Sequence, residues 1–116
     1  MENEAQFIAE NTKKQHDLCE VMFDNLARIK NAGIKSRLEQ PVVEINRVLL
    51  RIESNKLKNI SLNRDVEELL ARLHDLVREI DSLAELPAQD VGSIKLIRSY
   101  GSDIIQNYAV KMLNLE

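Results

Sequence analysis

The sequence predicts an all-α protein: a single-domain, antiparallel four-helix bundle with up-down-up-down connections. Apolar residues recur at steps of three and four over long stretches, which is typical of one face of a helix. The chain holds only three Gly and two Pro, so few residues favour turns and the helices must be long. The connections between them are short, and short connections make consecutive helices antiparallel neighbours.

The strongest pattern runs from residue 62 to residue 86. It is an uninterrupted a/d heptad with no Gly or Pro inside it, formed by Val66, Leu69, Leu73, Leu76, Ile80 and Leu83. Three apolar residues at the e position, Leu70, Val77 and Ala84, widen this stripe. We expect a helix over 62–86 that ends at Leu86-Pro87 and packs against the other three as the central element of the bundle.

The other three helices are predicted over 4–32, 37–59 and 90–115. Gly33, in the left-handed conformation, is expected to end the first helix. Pro41 suits the first turn of the second helix, and a start near Ser36 with a kink at Pro41 is the alternative. Asp90 or Ser93 is expected to cap the last helix. The second helix has a wide apolar arc: Val42, Val43, Ile45, Val48, Leu49, Leu50 and Ile52.

Composition and charge exclude several classes of function. The 116 residues carry a net charge of −3, with 3% aromatic residues and no Lys/Arg cluster, which disfavours nucleic-acid binding. No apolar run is long enough to span a membrane. A single Cys and an N-terminus without signal-peptide features predict a cytoplasmic, reducing location. Secretion by a route that needs no signal peptide stays open.

Residues that could support catalysis or bind a metal are sparse. His16 and Cys19 lie one helical turn apart beside Glu20, but only one other His and no other Cys are present. A structural zinc site needs about four such ligands. Nucleophilic triads and phosphate-binding loops are absent from the sequence. We therefore predict no metal, no cofactor and no enzymatic activity.

Apolar and polar residues in unexpected positions predict a protein-binding surface. On the last helix, Leu96 and Val110 lie opposite the main apolar face, aligned with Asp103, and Leu113 is also off that face. On the second helix, Asn46 and Glu53 fall inside the apolar arc. These positions favour a non-enzymatic interaction module, such as an adaptor, a small chaperone or an assembly subunit, whose protein partner is unidentified. A structural homodimer that pairs the second or last helices is an alternative.

A second alternative comes from the residues Arg72-Leu73-His74-Asp75. This run resembles the R-x-L-H-D phosphoacceptor box of some sensor histidine kinases, with one spacer residue fewer. Histidine phosphotransfer domains are also four-helix bundles of about this length. The resemblance implies that His74 is the phosphoacceptor of a phosphotransfer protein. Arg78 stands where phosphotransfer domains usually carry a small Gly.

Overall fold

Four long helices and a short C-terminal continuation form the described part of the chain. This computed structural model describes residues 4–58 and 63–113, with the side chains of residues 11, 13–55, 58 and 63–112. The helices are α1 (Glu4–Arg28), α2 (Ala32–Leu57), α3 (Asn63–Asp81) and α4 (Val91–Ile104), and a π-helical turn (Ile105–Ala109) leads into α5 (Val110–Leu113). The protein is all-helical over these residues, in agreement with the predicted class.

The four long helices pack against one another around a shared core. Helix α1 contacts α2 and α4, and α3 contacts the same two helices, so the four close into a ring. The described residues extend over 48 × 20 × 20 Å. The long dimension exceeds by about 10 Å the roughly 38 Å that the 25 residues of α1 span at 1.5 Å per residue. The heptad prediction for α3 is confirmed, because its a and d residues are buried: Val66, Leu69, Leu73, Leu76 and Ile80.

The turn between α1 and α2 is set by a distant carboxylate. Helix α1 ends at Arg28 rather than at the predicted residue 32. The fully buried Asp90 accepts hydrogen bonds from the backbone N–H groups of Lys30 at 2.7 Å and Asn31 at 3.0 Å. In a longer helix these two amides would donate to carbonyls four residues earlier. The Asp90 carboxylate replaces these carbonyls as the acceptor, so α1 ends before Lys30 and Asn31.

The start of α2 also corrects the sequence prediction. It begins at Ala32 rather than at residue 37, because the Asn31 side chain accepts a hydrogen bond from the Ile34 N–H at 3.0 Å and caps the helix. Gly33 therefore lies in the first turn of α2, outside the left-handed region, and does not end α1. Pro41 lies inside α2, where it has no N–H to donate to the carbonyl four residues earlier.

Helix α3 ends at Asp81 rather than at residue 86. Pro87 disfavours the α conformation only at Leu86. The helix ends earlier, where the Leu83 N–H donates to the Ile80 carbonyl three residues before it, at 3.1 Å. The connection still contributes to the core, since Leu83 and Leu86 are half-buried against it. It then turns through hydrogen bonds from the Asp90 and Val91 N–H groups to the Pro87 carbonyl, at 2.9 and 3.0 Å.

Helix α4 begins without the side-chain cap that the sequence predicts. Asp90 occupies the N-cap position, but its carboxylate faces the α1–α2 turn, and Ser93 lies within the helix. Gly101 is buried, and a Cβ built on it would lie 3.4 Å from the Leu76 side chain of α3. The methyl group of an Ala here would just contact Leu76, and a larger side chain would crowd α3.

A π-helical turn replaces the regular α-helix predicted for residues 105–109. The Val110 N–H donates to the Ile105 carbonyl, five residues earlier. Two pairs of neighbouring residues, Ile104 with Ile105 and Tyr108 with Ala109, are all buried. An α-helix turns by about 100° per residue and would direct one member of each pair toward the edge of the core. The wider turn lets both pairs face the core.

Candidate interaction surfaces

The outer face of α2 carries the most exposed large apolar side chain among the described residues. Leu50 is 51% exposed. Rotation by about 100° per residue places the residues three and four positions before and after Leu50 within roughly 60° of it on the helix surface. With Leu50 they form what we call the α2 face: Asn46, Arg47, Leu50, Glu53 and Ser54. Asn46 is half-buried, and the other four are exposed.

Two weak contacts surround Leu50 on the α2 face. Arg47 NH1 lies 3.4 Å from Oε1 of Glu44, one turn earlier, and the Arg47 side chain is 70% exposed. Glu53 Oε2 lies 3.2 Å from His16 Nε2 of α1, without the alignment of a hydrogen bond. The Arg47–Glu44 pair is exposed and pairs of this kind contribute at most about 1 kcal/mol, so Arg47 can reorient toward another molecule at small cost. The His16 side chain is only 20% exposed and its Nε2 is buried, so Glu53 contacts a partly buried group.

Leu96 and Val110 are exposed on the last helix, as the sequence predicts, at 43% and 37%. Their predicted alignment with Asp103 is altered by the π-helical turn between them. An i to i+5 turn holds one residue more than an α turn, so the residues after it are rotated by roughly 100° relative to a regular helix. Leu96 and Val110 are therefore separate apolar positions. The side chain of Leu113 lies outside the described residues.

His74 is exposed on α3, as its b position in the heptad predicts. The neighbouring carboxylate of Asp75 is directed to two arginines on the same helix, with Oδ1 3.1 Å from Arg78 NH2 and Oδ2 3.6 Å from Arg72 NH1. Solvent can reach the imidazole. The carboxylate that would hold its proton is already in contact with guanidinium groups.

The seam between α2 and α3 is polar along its exposed edge. Arg37 Nε donates to Glu79 Oε1 at 2.6 Å, and Arg51 Nε donates to Asp65 Oδ1 at 2.9 Å. Arg51 also pairs with Glu68 at 2.8 Å. The nearby carboxylates form hydrogen bonds that raise the pKa of Arg51 above its usual value. These ion pairs connect α2 and α3 along the edge of the seam.

Between these ion pairs, the seam opens into a groove of about 300 Å³. It is lined by Gln40, Pro41, Glu44, Arg72 and Asp75. The Nε of Arg72 is buried and has no hydrogen-bond partner. Two carboxylates and one guanidinium leave the groove without a dominant charge, so its lining does not select a ligand of one charge.

Cys19 is a core residue of α1. Its side chain is fully buried, and burial, with a smaller contribution from Glu20, raises the pKa of the thiol to about 12. The thiolate is the nucleophile and the metal-binding form of cysteine, and it is scarce here at neutral pH. No group of three His, Cys, Asp or Glu side chains in the described part of the chain is placed to bind a metal ion.

Sequence reasoning identified Leu96, Val110 and His74 as exposed but missed Leu50, which it placed in the apolar arc of the second helix. The rotation between successive helical residues could have identified Leu50 as exposed. Leu50 lies about 100° beyond Leu49, which is fully buried, and therefore falls outside the core-facing half of α2. Asn46 and Glu53, predicted inside that arc, lie beside Leu50 on the same outer face. The residues proposed on α2 thus come together, whereas those on the last helix do not.

Comparison with known proteins adds no further constraint. No protein family, curated protein or solved structure matches the chain. Within the residues that the structure describes, no helix combines the length and the apolar character needed to cross a bilayer.

Proposed function

We propose that this chain is a non-enzymatic protein-interaction module, built as an antiparallel up-down-up-down bundle, that binds another protein through apolar positions on α2 and the last helix. One observation carries the proposal. Leu50, Leu96 and Val110 remain exposed although the core is formed by other residues of the same helices. Contact surfaces combine apolar side chains with a polar rim, and these three residues supply the apolar side chains.

The antiparallel direction of the helices is supported by contacts between neighbours. Arg37 of α2 pairs with Glu79 of α3, whereas the later Arg51 pairs with the earlier Asp65. Residue numbers that rise along one helix and fall along its neighbour are the pattern of an antiparallel pair. The three-residue turn at 29–31 between α1 and α2 supports the same direction.

Substitution on the last helix tests the protein-binding proposal. Wild type, Leu96→Asp and Val110→Asp are used as baits in extracts of the cells that make the protein. Ser99→Asp is the matched control, because it adds the same charge at an exposed polar position of α4. Proteins that bind the wild type and the control but not the two variants support the proposal. Unchanged binding to both variants contradicts an interface on this helix.

Phosphotransfer through His74 is the second candidate, because this imidazole is exposed on a long helix. Accessibility is what a histidine nucleophile needs for phosphoryl transfer. Incubation with a small phosphodonor tests it, with His74→Ala as the variant and His16→Gln as the matched control. Acid-labile label on wild type and His16→Gln but not on His74→Ala favours this candidate. Absence of label on the wild type contradicts it.

A further inference from the structure

We propose that the groove between α2 and α3 binds a small zwitterion, a molecule the size of a free amino acid or a dipeptide. Its ammonium group pairs with Glu44 and its carboxylate pairs with Arg72. The inference goes beyond the proposed function, because the residues that line the groove are not those assigned to protein binding. It rests on the order of charges along the seam, on the unused hydrogen-bonding capacity of these two side chains, and on the volume of the groove.

Charged residues follow the seam between α2 and α3 at intervals of seven, so that each faces an opposite charge on the other helix. The three facing pairs are Arg37 with Glu79, Glu44 with Arg72, and Arg51 with Asp65. The first and third pairs are in contact, at 2.6 and 2.9 Å. The structure describes both side chains of the middle pair, and no ion pair joins them. The seam opens into the groove at this level.

Arg72 has hydrogen-bond donors that the protein does not use. A guanidinium group carries five N–H donors. Oδ2 of Asp75 lies 3.6 Å from NH1 of Arg72, which is longer than a hydrogen bond, and Oδ1 of Asp75 accepts from Arg78 instead. Nε of Arg72 is buried and has no partner. The side chain is 43% exposed, so a carboxylate in the groove can reach its terminal nitrogens and bind two of them at once.

Glu44 supplies the opposite charge on the other wall of the groove. Its Oε1 accepts a hydrogen bond from Gln40 Nε2 at 2.9 Å and lies 3.4 Å from Arg47 NH1. Its Oε2 has no partner among the residues that the structure describes. The Glu44 side chain is only 20% exposed, and a carboxylate that is partly shielded from water binds an ammonium group more strongly than a fully exposed one.

The two walls together select a ligand that carries both charges. An anion alone would meet Arg72 but would lie beside the carboxylates of Glu44 and Asp75, and a cation alone would lie beside the guanidinium group. A zwitterion pairs with both walls in a single orientation. The groove volume of about 300 Å³ is at the lower end of the range for small-molecule sites, which suits a compact ligand.

A series of matched ligands tests the proposal on the unaltered full chain. The isotope-labelled protein is titrated with glycine and with glycylglycine, and backbone amide shifts are followed by NMR. We expect amides near Glu44 and Arg72 to shift with a dissociation constant on the order of 1 mM. The tighter of the two ligands distinguishes a free amino acid from a dipeptide.

Two further ligands each carry only one of the charges. N-acetylglycine keeps the carboxylate but lacks the ammonium group, and glycinamide keeps the ammonium group but lacks the carboxylate. We expect each to bind at least about tenfold more weakly than glycine, because one wall of the groove is then left without a partner. Sodium chloride is added to the zwitterion samples so that all titrations have the same ionic strength.

Substitution of the two proposed partners shows whether the ligand binds in the groove. Arg72→Gln removes the partner of the carboxylate and Glu44→Gln removes the partner of the ammonium group, and we expect each to weaken binding about tenfold. Arg64→Gln and Glu67→Gln are the matched controls, because they remove the same charges at exposed positions of α3 outside the groove. Both controls should bind as the wild type does. The spectrum of each variant shows whether it is folded.

Three results would overturn the proposal. The first is the absence of any shift with glycine or glycylglycine up to about 50 mM, as expected if Glu44 and Arg72 pair directly and close the groove. The second is binding of N-acetylglycine or glycinamide as tight as that of the zwitterions. The third is equal affinity in the wild type, Arg72→Gln and Glu44→Gln. The comparison of ligands uses the wild type alone, so it decides the proposal even where a variant does not fold.

Discussion

Asp90 shows how a single residue can organise one end of the protein. Its carboxylate is fully buried and accepts two backbone N–H groups from the α1–α2 turn, some sixty residues away in sequence. Its own backbone carbonyl accepts the Ile94 N–H at 3.0 Å and starts α4. The residue therefore joins three helix ends, and its contribution is tertiary rather than local.

Replacing Asp90 with Ala is expected to destabilise the fold by about 2–4 kcal/mol, because two backbone amides lose their acceptor. Asp90→Asn keeps one acceptor oxygen and should fall between Ala and wild type. Urea unfolding followed by circular dichroism measures both. Glu85→Ala, in the same connection but exposed, is the control and should change stability by less than about 0.5 kcal/mol. Equal losses for Asp90→Ala and Glu85→Ala would contradict the assigned role.

At the scale of helices, apolar periodicity predicted the buried face correctly where the local sequence determines it. The a and d residues of α3, such as Leu69 and Leu76, are buried as the heptad predicts. Helix ends were less predictable, because Asp90 acts on α1 from a distant part of the chain. The π-helical turn was not predicted, since it arises from the fit of Tyr108 and Ala109 into the shared core. Tertiary contacts of this kind leave no periodic signal.

The two glycines of α4 give opposite expectations within one helix. Gly92 is exposed, and a Cβ built on it meets nothing within 4 Å, so Gly92→Ala should stabilise the protein by about 0.5–1 kcal/mol through helix propensity. Gly101 lies against Leu76, and Gly101→Val should destabilise by about 1–3 kcal/mol through overpacking. Thermal and urea unfolding of the two variants compare them. A tolerated Val at position 101 would argue against close approach of α3 and α4.

At the scale of the whole molecule, the described residues form an elongated body of four packed helices. Its candidate surface was only partly predictable from sequence. Exposure of Leu96 followed from its angle to the main face, but the π-helical turn moved Val110 out of line with it. Leu50 was placed with Leu49 in the wide apolar arc of the second helix, although only Leu49 is buried. An exposed residue makes no core contacts that would impose a periodic pattern, so its exposure is difficult to predict from the sequence.

The proposed antiparallel arrangement predicts distances that depend on the direction of the helices. A spin label on Glu39 of α2 should lie close to one on Arg78, near the end of α3. A label on Arg64, near the start of α3, lies about 21 Å farther along the axis of that helix, the rise of fourteen helical residues, and should therefore give a clearly longer distance to Glu39. Pulsed dipolar spectroscopy on the two doubly labelled proteins measures this. Buried Cys19 should resist labelling because of its raised thiol pKa. A shorter distance to Arg64 than to Arg78 would contradict the arrangement.

The central claim is that the exposed apolar residues of α2 and α4 touch other protein molecules, and site-specific photo-crosslinking tests it most directly. A photoreactive side chain is placed at Leu50, at Leu96 or at the exposed control position Glu67 of α3, in the cells that make the protein. We expect positions 50 and 96 to join to other protein molecules and position 67 to form few adducts. Adducts no more frequent at 50 and 96 than at 67 would contradict the claim.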